Sequence, residues 1–128
     1  MKFSKKAALE AFIAQWRWIQ ALQQLPEDTT IIEKRWPGWK ELRDKYGLDD
    51  FDLTAGTYSP ACLYMLLQDE DCDCSLCIVP ALRPLCLDGT PYERWREAVR
   101  ERNLFLAAKY AGEIIKSAEK VLGKEGDV

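Results

Sequence analysis

Apolar residues recur at helical spacing through Ser4–Leu25. Leu9, Phe12, Ile13, Trp16 and Ile19 share one face. Ala11, Ala14, Trp18, Ala21 and Leu25 fall on a neighbouring face, and the remaining polar stripe of Lys6, Glu10, Arg17 and Gln24 is narrow. A helix apolar over that much of its circumference is buried on most sides or contributes to an oligomer interface. Ser4 is placed to cap it and Pro26 lies just past its end. The β-branched run Thr29-Thr30-Ile31-Ile32 predicts a short strand or the edge of a turn. Trp36-Pro37-Gly38-Trp39 is a turn leading into a short helix, Lys40 to Tyr46, with Gly47 as its natural stop.

The second half of the chain has a different texture. Ser59-Pro60 opens a helix through Cys62, Tyr64, Met65, Leu66 and Leu67. Asp69-Glu70-Asp71 opposes the dipole at its C-terminus, so the helix is expected to stop near there. From Cys72 to Cys86, Pro80 and Pro84 block regular structure. Thr90-Pro91-Tyr92-Glu93 then has the form of a capping box with proline in the first helical position. From there one long helix is expected to Leu122, with Gly123 as its stop. Leu104, Ala108, Ala111, Ile115, Ala118 and Leu122 make a coiled-coil-like seam, which Trp95 and Val99 extend upstream. The seam predicts packing on the first helix, with homodimer formation through the same face as the alternative. The expected fold is mainly α: one domain over residues 1–128, a small helical bundle with a cysteine-rich segment, 59–92, before a long C-terminal helix.

Composition narrows the function classes. The chain has 128 residues, 48% hydrophobic and 30% charged, enough for one core without disulfides. A net charge of −3 from 18 basic and 21 acidic residues lacks the basic excess of a general DNA binder. No apolar run is long enough to span a membrane. The basic start, Met1-Lys2-Phe3-Ser4-Lys5-Lys6, runs into amphipathic sequence with no small-residue cleavage site, so a cytoplasmic location is expected.

Five cysteines is an odd number, and four of them lie between Cys72 and Cys86. In a reducing compartment that favours metal or redox chemistry over a disulfide scaffold. Cys74-Ser75-Leu76-Cys77 is a Cys-x-x-Cys knuckle whose two sulfurs can face one ion. With Cys62 and Cys86 it would close a tetrahedral all-thiolate zinc site. Cys72 could replace Cys62, although Cys72-Asp73-Cys74 is cramped for two ligands of one tetrahedron. The chain has no histidine, so any site is thiolate or carboxylate, and a closed thiolate site is structural. An iron–sulfur cluster, or metal-free cysteines buried as small hydrophobes, are the alternatives. The acids Asp69, Glu70, Asp71 and Asp73 read as a solvated charge run.

The order Cys-x-x-Cys-Ile-Val-Pro, then Cys86, then Gly89-Thr90-Pro91-Tyr92 resembles a group of small phage-encoded cysteine-rich proteins with a zinc-knuckle-like element. In that group an upstream Cys-x-x-Cys precedes a Cys-x-x-Cys-Pro knuckle and a Cys leading into Gly-Thr-Pro-Tyr. Cys62 matches the first cysteine, Met65 stands where the second would be, and Pro80 is displaced from the position directly after the knuckle. The resemblance covers Cys62 to Trp95 and implies a phage or prophage accessory protein; it implies no activity.

Catalysis has little to work with. Without histidine there is no Ser–His or Cys–His nucleophile pair, and no glycine-rich phosphate loop is present. A dithiol role for Cys74 and Cys77 lacks a surrounding strand–helix unit of the thioredoxin type. Two constellations suit binding. Arg35, Trp36, Trp39 and Lys40 combine aromatic and basic groups around a stiff Pro-Gly turn, the residue types that dominate binding energy at interfaces. Thr90, Tyr92 and Arg94 form a candidate anion site at a helix start, although simple capping explains the same residues. The expected function is therefore non-catalytic binding of a host protein or complex, as an inhibitor of bacterial anti-phage defence by analogy with phage accessory proteins. Nucleotide or nucleic-acid sequestration is the alternative. The cysteine spacing predicts one zinc per chain by elemental analysis, with Cys74→Ser losing the metal and much of the stability. A zinc-free or brown, iron-bearing preparation would rule that ligand set out.

Overall fold

The computed structural model describes residues 3–25, 32, 35–47, 59–67, 79 and 90–126, with their side chains except at 62, 65–67 and 124–126. Five helices follow in order along these residues: α1 (Lys5–Gln20), α2 (Gly38–Tyr46), α3 (Pro60–Leu67), α4 (Pro91–Arg100) and α5 (Leu104–Gly126). Among the described residues there is no strand, and the chain is mainly helical as its periodicity predicts. Of the β-branched run, only Ile32 is described; it is buried and its carbonyl accepts a turn hydrogen bond from the Arg35 N–H at 3.1 Å.

Local chemistry accounts for most helix ends. Ser4 caps α1, its hydroxyl accepting from the Ala7 N–H at 3.1 Å. Gly47 closes α2 at φ 67°, a left-handed conformation that glycine adopts without strain. Ser59 stands before α3, its carbonyl accepting from Leu63 N–H. Thr90 caps α4 through Glu93 N–H at 3.3 Å, with Pro91 in the first turn.

Besides α2 opening at Gly38 rather than Lys40 and α5 running past Gly123 to Gly126, two boundaries differ from the sequence expectation in ways that involve tertiary contacts. The first helix ends at Gln20, not Leu25. Its last turn tightens through Leu22 N–H to Ile19 carbonyl, and Leu22 and Leu25 pack back onto the core from outside the helix. The long C-terminal helix is two helices. At the break, Arg102 N–H donates to Val99 carbonyl and Asn103 N–H to Ala98 carbonyl, the paired bonds of a Schellman ending. Arg102 occupies the position usually given to glycine, at φ 60°. Asn103 then caps α5, its side-chain oxygen accepting from Leu106 N–H at 3.1 Å. The Arg102 guanidinium donates to the Leu25 carbonyl at 2.9 Å, so the two unexpected boundaries are tied to each other.

α5 lies along α1, α4 packs on α5, and α2 and α3 pack on α1. The main core holds Leu9, Phe12, Ile13, Trp16 and Ile19 of α1 against Trp95, Ala98 and Val99 of α4 and Ala107, Ala111, Ile114, Ile115 and Ala118 of α5. The predicted α1 stripe is thus the buried one, while Ala14 and Ala21 of the neighbouring face are exposed. Along α5 the seam is displaced: Ala107 and Ile114 are buried, whereas Leu104, Ala108 and Leu122 are half-buried. Trp16 meets Trp95 edge-on at 4.8 Å between ring centroids, and Tyr92 stacks on Trp95 at 5.8 Å. A second, smaller cluster joins Phe3 and Ala8 to Leu42 of α2 and Leu63 of α3.

Two outcomes follow for thermal or urea unfolding. Ile115→Asp places an unpaired charge in the α1–α5 contact and lowers stability by several kcal/mol, on the order of 3 or more. Asn103→Ala removes the α5 cap and costs about 1 kcal/mol.

Candidate functional site

The turn that opens α2 gathers the predicted partner-binding residues. Pro37 precedes the helix with an α-region backbone, and Trp39 N–H donates to the Trp36 carbonyl at 3.3 Å. This folds the turn so that the two indoles meet edge to face, 5.5 Å apart at 73°. Gly38 makes the arrangement sterically feasible: a Cβ there would lie 2.2 Å from Cζ2 of Trp36. Both indoles are half-buried and pack against the second cluster, while Arg35 and Lys40 on either side are exposed. The turn therefore divides each tryptophan between the interior and the surface.

The fold also sets apolar depressions beside this turn. One, of about 250 Å³, is lined by Trp18, Leu22, Leu25 and Ile32 with Gln24 and Arg35. Another, of about 260 Å³, runs between α1 and α2 and includes Ala7, Ala11, Ala14, Trp36 and Tyr46. Neither has a signal in local sequence, because their walls come from residues brought together by the docking of separate segments.

The candidate anion site is differently arranged. The Thr90 hydroxyl oxygen accepts the Glu93 N–H, the capping geometry. Tyr92 is half-buried between Trp95 and Trp16, with the Arg96 guanidinium 5.9 Å from its ring centroid. Arg94 reaches the other way, 6.0 Å from the centre of the Tyr110 ring. Thr90 and Tyr92 are engaged in holding α4, and Arg94 faces α5.

Of the predicted metal ligands, Cys62 falls within α3, whose neighbouring residues Ala61 and Leu63 are buried. The Cys62 side chain and all of Cys72, Cys74, Cys77 and Cys86 lie outside the described residues. Among the described residues no helix is long and apolar enough to cross a membrane. No family model matches the chain, and neither a curated protein nor a solved structure is similar to it.

The Trp36–Gly38 contact yields a specific expectation. Gly38→Ala improves helix propensity by up to about 1 kcal/mol. Overpacking against the indole opposes this by about 1–3 kcal/mol, so the variant should be less stable and lose near-ultraviolet circular dichroism from the tryptophan pair. Unchanged dichroism and melting would show that the ring does not rest on Gly38.

Proposed function

We propose that this chain is a non-catalytic binding protein whose partner is another protein, docking on the turn formed by Arg35, Trp36, Trp39 and Lys40. The observation that carries the reading is the half-exposed, edge-to-face tryptophan pair held between two exposed cations. Aromatic anchors with a basic rim are the composition of interface hot spots. A turn held by the Trp36–Gly38 contact loses little freedom on binding, which raises affinity without adding contacts. The absence of histidine throughout the chain, and of a phosphate-cradling loop, supports binding over catalysis. The resemblance of Cys62–Trp95 to phage-encoded cysteine-rich proteins supports a host protein or complex as the partner, with inhibition of an anti-phage defence as the consequence. In this proposal a structural zinc on Cys62, Cys74, Cys77 and Cys86 ties α3 to the segment before α4; the knuckle spacing supports it.

Affinity capture from bacterial host lysate supplies the partner, and single Trp36→Ala and Trp39→Ala variants test the surface. The expected result is a loss of affinity of more than about tenfold for at least one variant while its melting temperature falls only slightly. If both variants melt much lower and the surviving folded fraction binds normally, the indoles are core pins and the partner docks elsewhere. An ultraviolet spectrum dominated by nucleobase rather than indole absorption would favour nucleotide sequestration instead.

A further inference from the structure

Phe3 stands one residue before Ser4, the cap of α1. A hydrophobic residue in that position ordinarily packs on the fourth residue of the helix. Here that residue is Ala8, which is fully buried and offers a single methyl group. The phenyl ring therefore has most of its surface left to cover elsewhere. It meets the ring of Tyr46 edge-on, 5.1 Å between centroids at 67°, and is itself buried. Tyr46 is the last residue of α2, and the Lys45 ammonium lies 5.5 Å from its ring centroid.

α2 has few other holds on the bundle. Leu42 is its one buried residue, and it packs on α1 more sparingly than α3 and α5 do. A single buried side chain near the middle of a helix fixes where the helix lies but not its angle. One end of α2 carries Gly38 and the tryptophan turn; the other, about 12 Å along the axis, carries Tyr46. Phe3, Ala8, Leu42 and Leu63 form the cluster against which Trp36, Trp39 and Tyr46 all pack.

We propose that Phe3 is a positioning residue for the Trp36–Trp39 turn. By gripping Tyr46 at the far end of α2, it sets the angle of that helix on α1 and thereby the pose in which the two indoles reach the surface. Phe3 is buried and touches no partner; it acts through α2. Its consequence for binding rests on the reading of the turn as the docking site, because an indole already held in its bound pose loses less freedom on association. The positioning itself is a property of the free protein.

The test follows the five tryptophan indole N–H resonances of the full-length protein by NMR, together with near-ultraviolet circular dichroism, in Phe3→Ala and Phe3→Leu. In Phe3→Ala the Trp36 and Trp39 resonances should move or broaden and the dichroism of the pair should fall, while Trp16 and Trp95 stay in place. Phe3→Leu keeps apolar bulk without a ring, so it should restore both the dichroism and sharp Trp36 and Trp39 resonances. The affinity of the captured partner should fall by about tenfold or more in Phe3→Ala and recover in Phe3→Leu. Unmoved Trp36 and Trp39 resonances in Phe3→Ala, a disturbance that spreads equally to Trp16 and Trp95, or a failure of Phe3→Leu to restore the dichroism would each overturn the proposal. A partner that binds Phe3→Ala with parental affinity after the Trp36 and Trp39 resonances have moved would instead overturn the turn as the docking site and leave the positioning by Phe3 standing.

Discussion

The contact on which the architecture depends is the edge-to-face meeting of Trp16 and Trp95 at the centre of the main core. Each ring is essentially fully buried, and each belongs to a different helix, so the pair fixes where α4 sits on α1. Phe12 and Tyr92 extend the contact on either side. Aromatic pairs of this kind contribute about 0.5–1.5 kcal/mol beyond the area they bury. Among the described residues the buried Trp16 indole nitrogen has no hydrogen-bond partner, and packing and ring contact hold the side chain in place. Orienting α4 in this way brings Arg94 over Tyr110 and hence a cation from α4 onto the surface of α5.

The break between α4 and α5 follows from the same constraint. Trp95 and Ile115 both belong to the main core with α1, and α4 packs on α5, an arrangement that one continuous helix from Pro91 could not make. The chain turns at Arg102 instead. A left-handed non-glycine residue is unfavourable by about 1–2 kcal/mol. The two Schellman hydrogen bonds, the Asn103 cap and the bond from the Arg102 guanidinium to Leu25 offset that penalty. That last bond also holds the segment leaving α1, from which the chain continues to the Trp36 turn.

That turn shows how packing and recognition can use the same residues. Trp36 and Trp39 cannot be wholly interior, because the second cluster they cover is small. They cannot be wholly free either, because Gly38 lets Trp36 lie flat against its own backbone. A surface aromatic held in one conformation is better prepared for a partner than a mobile one, since its ordering precedes binding. Phe105 is the opposite case: its helix is well anchored on the inner face, but the side chain itself projects into solvent.

Much of the fold could be read from local sequence. The α1 stripe from Leu9 to Ile19, the Ser4 and Thr90 caps, Pro91 at a helix start and Gly47 at a helix stop all appear in the structure, because caps and helical faces depend on neighbours within a turn or two. The Arg35–Lys40 cluster was visible for the same reason: a Pro-Gly turn between tryptophans is a local feature. Tertiary structure decided the rest. Arg102 carries no glycine-like signal, and although the polar run Arg100-Glu101-Arg102-Asn103 sets Val99 and Leu104 five residues apart, such a run also suits a solvent-facing turn of a continuous helix; the packing of α4 on α5 decides for a break. Likewise, nothing local separates the exposed Phe105 from the half-buried Leu104 and Leu106 on either side of it. Which of three consecutive apolar residues faces water is set by the azimuth at which α5 lies against its neighbours, and that angle is a property of the packed bundle.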